Sequence, residues 1–435
     1  MDPQRLRIAF AICMASLCPL LLAGCGKSTS PQDAEGCASD HWVSAWQAPP
    51  SDAITPFDAS LTVLLSGPAQ TFRLVFSPLG QGSMVRVHLS NRFGLTPVVF
   101  DAVRIAHQTS GAAIDPQTSM PVLFDGQANV TIPAGKDVVS DPTAFSFASL
   151  DNVAVSIAAA DPTVLPTHHF TARQTSYATA PGAGDHSNDA SSAAFTQSTT
   201  TRPFVIGLDT LAPAATSTVV TAGDSLTDGF QGPPTLLPQN TATINLNERY
   251  PDYLRQQIEA AGRGGQLYVG NAGISGNRVL ENGQLPPYGP SLEGRLQADV
   301  LAQAGITDVI LYEGINDIDQ TEGLTAQQLT DGYVQMIAQM HQQGLNVIQA
   351  TLTPNSGNTA SQQALWTAVN TWIRTQSPAD AIADFDAAVH DPSNPAVLAP
   401  QYDGGDGLHL SAAGYQALAQ AVNLADIHGA ACGNP

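Results

Sequence analysis

Charge is scarce in this sequence, and positive charge is scarcest. Only 12% of its 435 residues are Asp, Glu, Lys or Arg, and 16 basic side chains face 37 acidic ones, for a net charge of −21. So few cations cannot neutralise a phosphate backbone, which argues against a nucleic-acid partner. Aromatic residues make up only 6% of the chain, yet 43% of it is hydrophobic. That is enough apolar material for a core, so the low charge marks a loop-rich folded protein and not a disordered one. Long apolar runs are missing except for one, from Ile8 to Ala23, preceded by Arg5 and Arg7. It is short for a membrane span and has the charge order of a targeting segment. Cysteine is also sparse. Two of the five cysteines, Cys13 and Cys18, fall in that segment, leaving Cys25, Cys37 and Cys432.

The apolar run ends in "LLAGC", residues 21–25. Small residues before a cysteine resemble the lipobox of bacterial lipoproteins. The resemblance implies a signal peptide over residues 1–24 and acylation of Cys25, with residues 25–40 as a polar tether to a membrane surface. A plain secretory signal is the other reading. Gly26 stands where an aspartate would resemble an inner-membrane retention signal, so an outer-membrane location is expected in a cell with two membranes. In an oxidising compartment Cys37 and Cys432 are expected to form a disulfide, the alternative being two free thiols.

The mature chain divides by periodicity. Residues 41–212 carry short alternating runs such as "TFRLVFSP", "SMVRVHLSN", "PVVFDAVRIA" and "NVAVSIAAA", separated by turn-formers. These predict an all-β sandwich, jelly-roll-like, with residues 179–200 as a long surface loop. From Thr218 onward, strand-like and helix-like segments alternate. "TVVTAG", "QLYVGNAG", "TDVILYEG", "NVIQATL" and "AIADFD" read as strands. Between them run amphipathic helices, among them one with Tyr250, Leu254 and Ile258 on one face and one opened by the Thr325/Gln328 capping box. The expectation for 213–435 is a flavodoxin-like three-layer α/β/α domain with a parallel sheet.

Ligands of such sheets bind beyond the carboxyl ends of the strands. Four stretches fall there: "GDSLTDG" from Gly223, "NAGISGN" from Asn271, "EGIND" from Glu313 and "GDGLH" from Gly405. Each has an ordinary alternative. Ser225 is in a helix-capping position, Asn316 and Asp317 are typical caps, and His409 precedes a helix. Together they supply a hydroxyl, a base, an orienting acid and donors for an oxyanion.

These four blocks resemble those of the SGNH hydrolases, also called GDSL esterases and lipases. The resemblance covers the chain from about residue 218 to the end. It implies Ser225 as nucleophile, His409 as general base and Asp406 as its orienting acid. It also implies an oxyanion hole from the N–H groups of Ser225 and Gly276 and the amide of Asn316. Leu410 follows the histidine where many relatives carry proline, and Ser411 is expected to cap the last helix. "VRVHLSNRFGLTPVVFDAVRIA" looks like a region that precedes this domain in some larger bacterial members. Ser225 lacks the G-x-S-x-G context, which argues against an α/β-hydrolase fold. Asp403 rivals Asp406 from six residues away, and Asp224 and Asp228 read as structural.

No metal site or cofactor is expected. The adjacent histidines of "HHF", His168 and His169, read as polarity on a surface loop, or as the border of the site mouth if the β half folds over it. The functional expectation is a surface-anchored ester hydrolase for small acyl groups, with acylated polysaccharide among its substrates. A broad arylesterase or lipase, acyl transfer to a sugar, and a non-catalytic glycan-binding lipoprotein are the alternatives. Oligomeric state is not legible.

Overall fold

The computed structural model describes residues 39–53, 69–159, 166–232 and 241–433. The expected signal peptide, Cys25 and Cys37 lie outside the described residues. Cys432 is disulfide-bonded.

The first half is a sandwich of two mainly antiparallel sheets. One contains His41–Gln47, Val205–Ala212, Gly82–Ser90 and Asp137–Val139, with Thr143–Phe147 also on Gly82–Ser90. The other runs Gln197–Thr199, Ser176–Ala178, Gln70–Phe76, Val153–Ala159, Val98–Ser110 and Ala113–Ile114. Alternation in "SMVRVHL" has the expected result: Val85, Val87 and Leu89 are fully buried, and Arg86 and His88 are half-exposed. Residues 179–200 are more than a surface loop. They include the strand Gln197–Thr199, and the buried Arg73 clasps them through the carbonyls of His186 and Ser187 while lying 4.1 Å over the Phe195 ring.

The second half holds a five-stranded parallel sheet. In space its order is Leu267–Gly273, Ser217–Gly223, Ile306–Tyr312, Asn346–Ala350, Ala381–Ala383. The first strand in sequence therefore lies second, the flavodoxin-like order. Helices Tyr250–Ala260 and Ala412–Ala421 pack together, as do Ala326–Gln342 and Ala360–Gln376. Tyr250, Leu254 and Ile258 are all completely buried, and such a stripe stabilises by about 1.5–3 kcal/mol per large side chain. The helix that begins at Leu292 is irregular. Leu292–Leu296 is α-helical, and Gln297–Leu301 widens into a π turn. Leu292, Leu296 and Val300 still face the core.

The halves interlock. The edge strand Leu267–Gly273 would expose unpaired backbone, but the β half covers it. Val269 N–H donates to Leu79 O at 3.3 Å, and Tyr268 Oη donates to Gln81 O at 2.8 Å. Ser44 N–H donates to Ala304 O at 2.8 Å, and Ser44 O accepts from Thr218 Oγ1 at 2.6 Å. Leu79 packs into the α/β core, and Tyr268 packs into the sandwich core. Arg92 bridges Asp137 and Asp299, both at 2.6 Å.

Candidate active site

Ser225 opens a four-residue helix immediately after the strand Ser217–Gly223. The cap of this helix is Asp224, whose Oδ1 accepts from Leu226 N–H at 2.9 Å. Ser225 is thus freed from the capping role, and its N–H, first in the helix, has no intrahelical acceptor. Its Oγ lies 2.9 Å from His409 Nε2.

His409 is held from three sides. Its Nδ1 is 2.7 Å from Asp406 Oδ2, and its backbone N–H donates to Asp406 Oδ1 at 2.7 Å. The Phe230 ring lies 4.6 Å from the imidazole, tilted against it. Burial alone would raise the Asp406 carboxyl. The bond and charge of His409, with the N–H groups of Leu408 and His409, outweigh it and keep Asp406 below the ordinary carboxylate range. Asp403 does not reach the histidine and accepts instead from Gly405 and Gly407 N–H. Ser411 caps Ala412–Ala421, so Leu410 in place of proline leaves the loop intact.

The other two blocks close the rim. Gly276 has φ of +79°, and a Cβ there would fall 2.3 Å from the Tyr288 ring. Only glycine fits. Asn316 Nδ2 donates to Asn277 O at 2.9 Å, and its Oδ1 accepts from Gln320 Nε2 at 3.0 Å. This pair of bonds orients the amide, and one of its two N–H donors remains for the cavity. Ser225, Gly276, Asn316 and His409 line one cavity of about 200 Å³ with Phe170, Thr171, Phe230, Ser275, Tyr288, Gln320 and Leu408.

Beneath the rim lies a buried polar layer that sequence reasoning missed. Arg295 donates to Asn277 Oδ1 at 2.9 Å, to Ala272 O at 2.7 Å and to Gly223 O at 3.0 Å. One side chain therefore ties together the ends of two strands and the glycine loop. Asp317 accepts from Val279 N–H at 2.8 Å and Leu280 N–H at 3.2 Å, joining the second block to the third. Burial pushes Asp317 up to about 6 despite those bonds. Burial, with Asp317 and Asp228 nearby, pushes Asp224 up to about 7, although the Leu226 N–H and Arg295 oppose it. Burial and then Asp224 raise Glu313 well above the usual range. Among the described residues no group of three or more His, Cys, Asp or Glu side chains could hold a metal ion.

The double histidine departs from the surface-loop reading. His168 and His169 are 0% and 4% exposed and form a strand paired with Arg202–Pro203. Phe170 and Thr171, which follow, reach the cavity wall. The signal for this was the adjacency "HHF", which no periodicity distinguished from a loop.

Residues 221–417 match the GDSL-like lipase/acylhydrolase family. This part of the chain is a GDSL-like lipase/acylhydrolase domain. The match supports carboxylic ester hydrolysis as the chemistry of this domain. Among solved structures it is similar to a GDSL-like lipase from Bacteroides thetaiotaomicron VPI-5482, at 18% identity and a TM-score of 0.34, over 48% of this chain and 87% of that one. It is also similar to a variant acetyl xylan esterase from Geobacillus stearothermophilus, at 21% identity and a TM-score of 0.35, over 47% of this chain and 92% of that one. No curated protein matches the chain.

Proposed function

We propose that this GDSL hydrolase cleaves small acyl esters, acetyl or short-chain, through a Ser225–His409–Asp406 acyl-enzyme mechanism. Ser225 Oγ attacks the ester carbonyl while His409 Nε2 takes its proton. Asp406 holds the other ring nitrogen, selects the tautomer and offsets the imidazolium charge. The N–H groups of Ser225 and Gly276 and the free amide hydrogen of Asn316 receive the oxyanion. His409 then protonates the departing alcohol, and water, activated by the same imidazole, releases the acid and restores Ser225.

One observation carries this reading: the 2.9 Å and 2.7 Å contacts through His409 lie at a cavity that also contains both other oxyanion donors. The cavity of about 200 Å³ supports the short acyl group, being below the range of about 300–1,000 Å³ that encloses drug-sized ligands. Acetylated polysaccharide carries an acyl group of that size and is included in the proposal. The test is hydrolysis of p-nitrophenyl esters of increasing chain length and of acetylated xylan. The expected result is highest kcat/KM on acetyl to butyryl esters and a loss of about 10⁴-fold or more for Ser225→Ala. Equal rates for wild type and Ser225→Ala would leave only the non-catalytic binding reading.

Export and anchoring at Cys25 belong to the same proposal, on the strength of the "LLAGC" pattern. Full-length protein is expected in the detergent phase of an envelope extract, and Cys25→Ala in the aqueous phase. Equal partitioning of the two would remove the anchor.

A further inference from the structure

We infer that His169 is a positioning residue for the oxyanion loop, so that the β half is a working part of the active site. The inference rests on the ester-hydrolase mechanism above. His169 comes from a two-stranded ribbon of the β half, yet its Nε2 lies 3.1 Å from Oδ1 of Asp228, on the nucleophile's own short helix. The second oxygen of Asp228, Oδ2, accepts from Ser275 N–H at 3.0 Å and Ser275 Oγ at 2.7 Å. Ser275 immediately precedes Gly276. One buried carboxylate thus connects the nucleophile's helix, the oxyanion loop and a side chain of the other half.

The connection is tightly built. Asp228 is 2% exposed, and a Cβ on Gly273 would fall 2.3 Å from Asp228 N. The helix and the strand end that leads into the loop therefore touch backbone to backbone. Among the described residues, the hydrogen-bond partners of the His169 ring nitrogens are acceptors: Pro49 O at 2.8 Å from Nδ1, and Thr171 O at 3.3 Å and Asp228 Oδ1 at 3.1 Å from Nε2. A bond from Nε2 to the carboxylate therefore needs the hydrogen on Nε2. Burial would raise the Asp228 carboxyl, but the charge and bond of His169, the charge of Arg249 and the Ser275 bond keep it below its ordinary value. Without His169, that carboxylate keeps its Ser275 bonds but loses the partner that holds its other oxygen, and the anchor of the Ser275 loop is free to shift. A displacement of about 1 Å at an oxyanion donor is enough to cost on the order of 100-fold in rate.

The test uses the full chain with p-nitrophenyl acetate, and rates are normalised to active sites by titration with a serine-reactive phosphonate. His169→Ala is expected to lower kcat per titrated site by about 10–100-fold, with KM changed by less than about threefold. Combined with Asp228→Asn, its loss is expected to be well short of multiplicative, because both act through one contact. Two further variants decide the matter if His169→Ala does not fold. His169→Gln places an amide donor where Nε2 stood and should retain activity within about threefold. His169→Asn reaches toward Pro49 and not Asp228, and should lose at least about tenfold. Normal kcat per site in His169→Ala, equal rates in the Gln and Asn variants, or multiplying losses with Asp228→Asn would overturn the inference. In each of those outcomes inactivity of Ser225→Ala would leave the ester-hydrolase reading standing.

Discussion

Asn316 and Asp224 illustrate how a residue's role depends on which of its atoms are already committed. The Asn316 amide is oriented by Asn277 and Gln320, so its remaining donor is aimed before substrate arrives. Asn316→Ala is expected to lower kcat by roughly 100–1000-fold with little change in KM, as measured on p-nitrophenyl acetate. Asp224 is buried, and its carboxyl is pushed up to about 7, while in the unfolded chain it ionises near about 3.9. Between those values the unfolded state binds fewer protons than the folded one, so this group makes stability fall as pH rises from about 4 to 7. Asp224→Asn keeps the acceptor for Leu226 N–H and cannot ionise. A flatter dependence of Tm on pH across that window is the expected result. An unchanged slope would mean that Asp224 is charged in the fold.

At the scale of elements, the proposed catalytic groups sit on ends. Ser225 and Gly276 follow adjacent strands, Asn316 follows the strand on the other side of Ser217–Gly223, and His409 precedes the last helix. The segment after strand His168–His169 adds Phe170, 6% exposed, to the cavity wall. Phe170 should therefore limit acyl length. Phe170→Ala is expected to raise the butyryl-to-acetyl ratio of kcat/KM by about tenfold, since two more methylenes find burial at about 0.8 kcal/mol each. A ratio unchanged within about twofold would place the acyl group elsewhere in the cavity.

For the molecule as a whole, the question is whether two architectures make two domains. The sandwich covers the edge of the parallel sheet, Leu79 and Tyr268 trade cores, and Arg92 spans the boundary. Separating the halves would expose both an unpaired strand edge and apolar core side chains. We expect one cooperative unfolding transition. Trp46 reports the sandwich, Trp366 and Trp372 report the α/β half, and urea midpoints from single-tryptophan variants should coincide with that from circular dichroism. Two separated midpoints would contradict this.

Much of this was legible locally. Period-two runs and 3.6-residue stripes are written by neighbours in sequence, and burial of one face enforces them. The four blocks were likewise visible, because a parallel sheet brings every strand's carboxyl end to one rim. What had no local signature was anything depending on contact between segments far apart in the chain. Strand His41–Gln47 and strand Val205–Ala212 find each other across more than 150 residues, and "HHF" reads as polar until Asp228 is set against it. The sequence by itself determined the two architectures and the candidate chemistry. Only the tertiary structure brought His169 against Asp228 and Phe170 to the cavity wall, because a long-range contact is chosen by packing geometry and leaves no periodicity behind.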